Sequence, residues 1–199
     1  IHGCLVGSEM CIRDSISESV LSAGGIIVPP EGYLNRVKAE CDKRGMELIM
    51  DEAQTGLGKT GKLFGFQHEP GLKPGIIALS KHFGGGLPIS AVCTTADVAK
   101  RAVGRGYFAT RSHATDPLLC AAGEESLDIV VEEDMPGKAA QIERWIKSAF
   151  RKMAKEFEWI GDIRGRGVLL GIELVADRQT KAPANAETQK IYDYALDKG

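Results

Sequence analysis

Residues 51–61 read DEAQTGLGKTG, Asp51 to Gly61, and the reading of this stretch decides the fold. It ends in Gly58-Lys59-Thr60, a triplet of the kind that cradles phosphate, and begins with Asp51-Glu52, an acidic pair of the kind that holds magnesium. A phosphate loop needs Gly-x-x-x-x-Gly-Lys-Ser/Thr, running from a strand straight into a helix. Ala53 stands where the first glycine belongs, and GKTGKLFGF continues with little helical period. The acidic pair also precedes and adjoins the loop, the reverse of the order in nucleotide-driven motors. The stretch is therefore read as the polar exit of a strand, with its chemistry at Asp51.

The flanking sequence supports this. ELIM (Glu47 to Met50) is a short buried strand leading into Asp51, and GIIALS (Gly75 to Ser80) is a second one leading into Lys81. GGGLPISAVCTT, Gly84 to Thr95, gives a Gly-rich turn and a third strand. GGIIVPP is a loop, and YLNRVKAECDKRG puts Leu34, Val37 and Cys41 on one helical face, with Gly45 as the stop. Phe64 and Phe66 are expected to pack at the end of the polar loop. Strands separated by helices or long crossovers predict a parallel α/β sheet. From Asp116 to Ile160 the pattern is helical, with a break predicted at Met135-Pro136-Gly137. Leu118, Ala122, Leu127 and Val131 form the buried side of the earlier piece; Ile142, Trp145, Ile146, Phe150 and Met153 form a core stripe on the later one. IGDIRGRGVLLGIELV predicts a turn and a buried strand, ADRQTKAPANAET a polar loop, and the final residues a helix. The organisation expected is residues 15–128 as part of a large domain, and 129–199 as a connecting helix and the start of a smaller α+β domain.

The bulk properties narrow the function. The 199 residues are 43% hydrophobic and 26% charged, with net charge -2 and no basic run, so neither nucleic acid nor a membrane surface is an expected partner. The cysteines (Cys4, Cys11, Cys41, Cys93, Cys120) form no CxxC pair and do not cluster with histidine, so no metal site is expected. They are read as small core residues of a cytoplasmic protein. The start, IHGCLVGSEMCIRDS, has no helical or strand period and lacks the regions of a signal peptide. CLVGSEMCIRDS resembles a translated adapter, so residues 1–14 are expected to be non-native and the chain to be a fragment.

An acid and a lysine at the carboxyl ends of neighbouring parallel strands face the crevice where open α/β sheets bind ligands. A lysine leaving an apolar strand is partly desolvated, which lowers its pKa and frees its amine to attack a carbonyl. Pyridoxal phosphate uses such a lysine, together with an acid that keeps its pyridine nitrogen protonated. From the residues alone, an isolated Asp and Lys at strand ends are more often solvated termini.

DEAQTGLGKTG, then LSKHFGGGLPISA, then SHATDPLLCAAG together resemble the class III (ω-type) aminotransferases, pyridoxal-phosphate enzymes of fold type I. The resemblance runs from about Ile16 to the end. SHATDPLL and IGDIRGRGVLLGIELVADRQTK are also similar to 2,2-dialkylglycine decarboxylases, members that decarboxylate and transaminate. The resemblance implies that Asp51 pairs with the pyridine nitrogen, that Gln54 lies near the ring's phenolic oxygen, and that Lys81 forms the Schiff base and then shuttles the proton. Ser112 falls where the family has a phosphate-binding Thr that serves the neighbouring subunit, implying a homodimer or a dimer of dimers. Ser112 as a helix cap is the competing reading. Glu18 matches a Glu near the family's active site, although Ser19 replaces the Pro that follows it. His113 is read as structural, Lys59 as solvated, and Arg164 and Arg166 as a turn near the domain interface. Gly84, Gly85 and Gly86 are read as easing the backbone past the cofactor. The substrates implied are an amine or amino acid donor and a 2-oxo acid acceptor, with decarboxylation-dependent transamination and a non-catalytic remnant as alternatives. The family's upstream phosphate loop, stacking aromatic and C-terminal arginine are not among these residues, so the chain alone is expected to turn over poorly.

Overall fold

The computed structural model describes residues 14–108 and 111–199. The adapter-like reading of residues 1–13, with Cys4 and Cys11, lies outside the described residues.

The first sheet has four strands in the order β1-β2-β3-β4. β1 (Asp14–Glu18) pairs in parallel with β2 (Glu47–Asp51), which pairs in parallel with β3 (Ile76–Leu79). β1 takes in Asp14, the last residue of the segment expected to be non-native, and its mostly polar DSISE explains why no strand was predicted there. β4 (Ala91–Thr94) runs antiparallel to β3, with Leu79 opposite Ala91. The core of the sheet is parallel as expected, and only β4 departs from it: Ser80 to Ser90 is a short return with no crossover α-helix, and parallel neighbours need a longer one.

Helix α1 (Tyr33–Lys43) lays Leu34 and Cys41 on Leu48 and Met50 of β2 and on Leu72, with Val37, Met46 and Phe66 packed around them. Each large side chain buried there stabilises the fold by roughly 1.5–3 kcal/mol. Gly45, with φ 63°, turns the chain from α1 into β2. Phe64 and Phe66 stack at 5.8 Å between ring centroids.

Capping residues start the later helices. Thr95 accepts from Val98 N at 3.3 Å ahead of α2 (Ala96–Gly104). Asp116 accepts from Leu118 N at 3.4 Å ahead of α3 (Pro117–Glu132). Asp134 accepts from Gly137 N at 3.1 Å ahead of α4 (Met135–Glu156). Met135-Pro136-Gly137 is thus the first turn of α4 rather than a break, because Pro fits a first turn, where its missing N–H costs nothing; the interruption is Glu133-Asp134. IGDIRGRG is a strand rather than a turn: β5 (Ile160–Arg166) forms an antiparallel hairpin with β6 (Leu169–Asp177). The short β7 (Ala182–Pro183) extends this second sheet, and α5 (Asn185–Lys198) follows.

Several residues expected in the core are exposed. Leu118 is 70% exposed and Trp145 73%, and Val131, Ile142 and Met153 are exposed as well; Ala139 is the buried residue of α4. Periodicity identifies an apolar face but not what covers it, and the described residues cover only part of these two. Cys41 is buried, whereas Cys93 and Cys120 are exposed free thiols. Among the described residues, no helix is long and apolar enough to cross a membrane.

Candidate active site

The carboxyl ends of β1, β2 and β3 place three expected site residues along one sheet edge. Glu18 ends β1 directly opposite Asp51, which ends β2 and lies opposite Ala78 of β3. Lys81 follows Ala78 by three positions, just past the end of β3. Asp51 is half-buried, and its Oδ1 accepts from Ala53 N at 3.0 Å. No other partner of this carboxylate is found among the described residues, which leaves the acceptor capacity of the second oxygen unused there. Glu18 instead accepts from the backbone N–H (3.1 Å) and the hydroxyl of Ser22, in the loop after β1.

Lys81 adopts φ 55°, in the left-handed region. A non-glycine residue held there costs of order 1–3 kcal/mol, and persists only where its surroundings enforce it. Lys81 opens a 3-10 turn (Lys81–Gly84), closed by Phe83 N on Ser80 O at 3.2 Å and Gly85 N on His82 O at 3.1 Å. Its side chain is exposed, so the desolvation expected from the strand exit is absent in this chain. Gly86, at φ 109°, has nothing within 4 Å of where a Cβ would stand, leaving the backbone beside the turn open for close approach.

The loop after Asp51 is held by residues whose part was not read from the sequence. Glu52 is 1% exposed and accepts four hydrogen bonds. Ser19 Oγ (2.6 Å) and Phe66 N (2.8 Å) donate to Oε1; Thr55 Oγ1 (2.6 Å) and Gly65 N (2.8 Å) donate to Oε2. A carboxylate so saturated has no lone pair left for magnesium. Ser19, the residue after Glu18, is one of its donors. His82 reaches the same loop from the lysine side: its Nε2–H donates to Gly56 O at 2.9 Å. Burial, chiefly, pushes the His82 imidazole pKa down, and Lys59 and Lys81 push it the same way. The signal available in the sequence was slight: a second acid at a strand exit, and a histidine after the lysine.

The remaining expected residues are placed as follows. Gln54 is half-buried in the loop, and no hydrogen bond of its side chain is found among the described residues. Ser112 is exposed in the segment before α3, and no hydrogen bond ties it to the β1–β3 edge. It is not a helix cap either; Asp116 is, and His113 Nδ1 lies 3.3 Å from that cap's Oδ2. Asp116-Pro117, within the SHATDPLL stretch, is thus a helix start. Lys59 is half-buried rather than solvated. Arg164 lies in β5, where it donates to Gly25 O at 2.7 Å and pairs with Asp162 and Glu173, linking the hairpin to the loop after β1.

The model of the class-III aminotransferases matches residues 12–199. The chain belongs to the class-III aminotransferases. An uncharacterized aminotransferase of Schizosaccharomyces pombe is 38% identical over 193 residues, covering 97% of this chain and 42% of that protein. The leucine/methionine racemase of Thermococcus litoralis is 38% identical over 183 residues, covering 92% of this chain and 41% of the relative. This class-III chain therefore spans about two-fifths of the curated relatives it matches. Among solved structures, an aminotransferase of Bacillus anthracis superposes with TM-score 0.88 at 33% identity, over 94% of this chain and 43% of that one. The taurine:2-oxoglutarate aminotransferase of Bifidobacterium kashiwanohense, solved with pyridoxal phosphate and glutamate, gives TM-score 0.80 at 27% identity, over 85% and 38%. The fold is that of the fold-type I pyridoxal-phosphate transaminases, and class-III aminotransferases depend on that cofactor. The residues here fit it: Asp51, at the end of β2, has a carboxylate oxygen with no partner among the described residues, and the exposed side chain of Lys81 follows the neighbouring strand.

Proposed function

We propose that this chain carries the cofactor-holding acid and lysine of an enzyme that moves an amino group from an amino acid or amine to a 2-oxo acid. Pyridoxal phosphate, when bound, supplies an electron sink that lets a proton leave the carbon bearing the nitrogen. Asp51 would hold the pyridine nitrogen protonated, its negative charge favouring the proton there. Gln54 would lie by the ring's phenolic oxygen. Lys81 Nζ would hold the cofactor covalently, and its amine, when free, would be the base that takes the proton and the acid that returns it. Ser112 would serve the phosphate in a second subunit, and Glu18 would stand at the substrate side of the edge.

The observation that carries the reading is the strained Lys81 at the end of β3 beside Asp51 at the end of β2. The exposure of Lys81 makes slow turnover by the chain alone the expectation. A homodimer is supported by large exposed apolar residues before and after Ser112: Phe108 at 86%, Tyr107 at 65% and Leu118 at 70%. Exposed Cys93 and Cys120 fit a reducing, cytoplasmic setting.

The reading is tested by incubating the chain with pyridoxal phosphate, reducing with borohydride, and locating the modified lysine by peptide mass spectrometry. Lys81 should be the principal site, and Asp51→Ala should cut its labelling by about tenfold, the scale of one lost charge-assisted hydrogen bond. Labelling spread evenly over the surface lysines would refute it.

A further inference from the structure

Lys81 is strained, yet no hydrogen bond or ion pair of its own side chain is found among the described residues. The 3-10 turn after it must be fixed from elsewhere, and one side chain does this directly. His82 is half-buried, and its Nε2 lies 2.9 Å from Gly56 O. A carbonyl oxygen only accepts, so Nε2 carries the proton. In the neutral ring Nδ1 then carries none, and Nδ1 is buried without a partner. The clamp crosses from the lysine turn to the loop that holds Asp51 and Gln54. Gly56 is itself anchored: its N–H donates to Glu52 O at 3.0 Å, and Glu52 is pinned by its four donors. From the other side Phe83 packs against Gly123 of α3. The charged groups that reach the imidazole are Lys59 and Lys81, both positive.

We infer that His82 is a positioning residue for Lys81: as a neutral Nε2–H imidazole it locks the left-handed lysine turn onto the Gly56 carbonyl, and so aims the amine at the edge where Asp51 stands. The inference rests on the assignment of Lys81 as the cofactor lysine. A doubly protonated ring would keep the Nε2–H bond but bury an unpaired Nδ1–H and a positive charge near two lysines, so the neutral Nε2–H ring is the form the site favours. Gln at position 82 can present an amide N–H about where Nε2 stands, whereas Asn falls short of it.

The test labels the full chain with pyridoxal phosphate and borohydride, and reads the rate at Lys81 against exposed Lys152 in the same molecule. Global loss of structure would move both lysines; loss of the clamp moves the ratio. H82N and H82L should lower the Lys81:Lys152 ratio by about fivefold, the scale of one hydrogen bond, and H82Q should stay within about twofold of wild type. Should H82L fail to fold, the H82N and H82Q pair decides the matter alone. Nitrogen NMR of the unmodified chain reads the tautomer without cofactor, with Nε2–H the expected form. If wild type labels at Lys81 and H82N does so equally fast, the clamp is refuted while the lysine assignment stands. If wild type does not label at Lys81, the lysine assignment fails, and this inference with it. A His82 ring protonated at Nδ1 alone would also overturn it.

Discussion

Glu52 holds the loop between the two halves of the site. Its two oxygens meet donors from Ser19, Thr55, Gly65 and Phe66, so the loop's entry, its turn and its return are tied to one buried group. Glu52→Gln replaces one oxygen by an amide nitrogen that would face two donors. An unpaired buried polar group costs about 1–3 kcal/mol, more where charge is involved. Denaturant unfolding of E52Q should show a loss of that size, and a change below about 0.5 kcal/mol would mean that the network is not tight. At this scale the sequence pointed to the strand-end residues but not to what supports them. That Asp51 and Lys81 lie at strand ends was legible because each follows an apolar run. Glu52 was not, because its partners lie as far as 33 positions away and no local pattern links them.

At the scale of elements, the GLGKTG segment is a wedge rather than a phosphate cradle. Val168 N donates to Lys59 O at 2.9 Å, which ties the segment to the β5–β6 hairpin. A Cβ on Gly61 would stand 3.3 Å from that of Ala140 on α4. Lys147 of α4 donates to Gly165 O at 2.7 Å, and Glu143 accepts from Gly167 N, so the helix grips the same hairpin. Gly167 sits at the closest approach, with φ 59°, and a Cβ there would overlap the Lys59 carbonyl. Gly167→Ala should therefore destabilise by at least about 2 kcal/mol, combining left-handed strain with the clash. A thermal midpoint equal to wild type would contradict this packing. The hairpin itself was only half legible: Gly165 and Gly167 gave IRGRG the look of a turn, whereas pairing with β6 makes it strand.

Across the whole molecule, the two sheets, the Asp51–Lys81 edge and the family are consistent readings of one pattern, apolar runs that stop at chemical residues. Strand direction was the weaker inference, because the sequence of β4 carries no mark of its antiparallel pairing. Helix burial was weaker still: the stripe of α4 points partly to solvent, with Trp145 73% exposed, so apolar periodicity overstated the core. The central claim is that this fold moves an amino group through Lys81. The most direct measurement is a single turnover: the chain, pyridoxal phosphate and an amino donor are mixed, and the 2-oxo acid released is followed in wild type and in Lys81→Ala. Wild type should form the 2-oxo acid faster than the variant, which should match free cofactor alone. Equal rates in the two proteins would contradict the account.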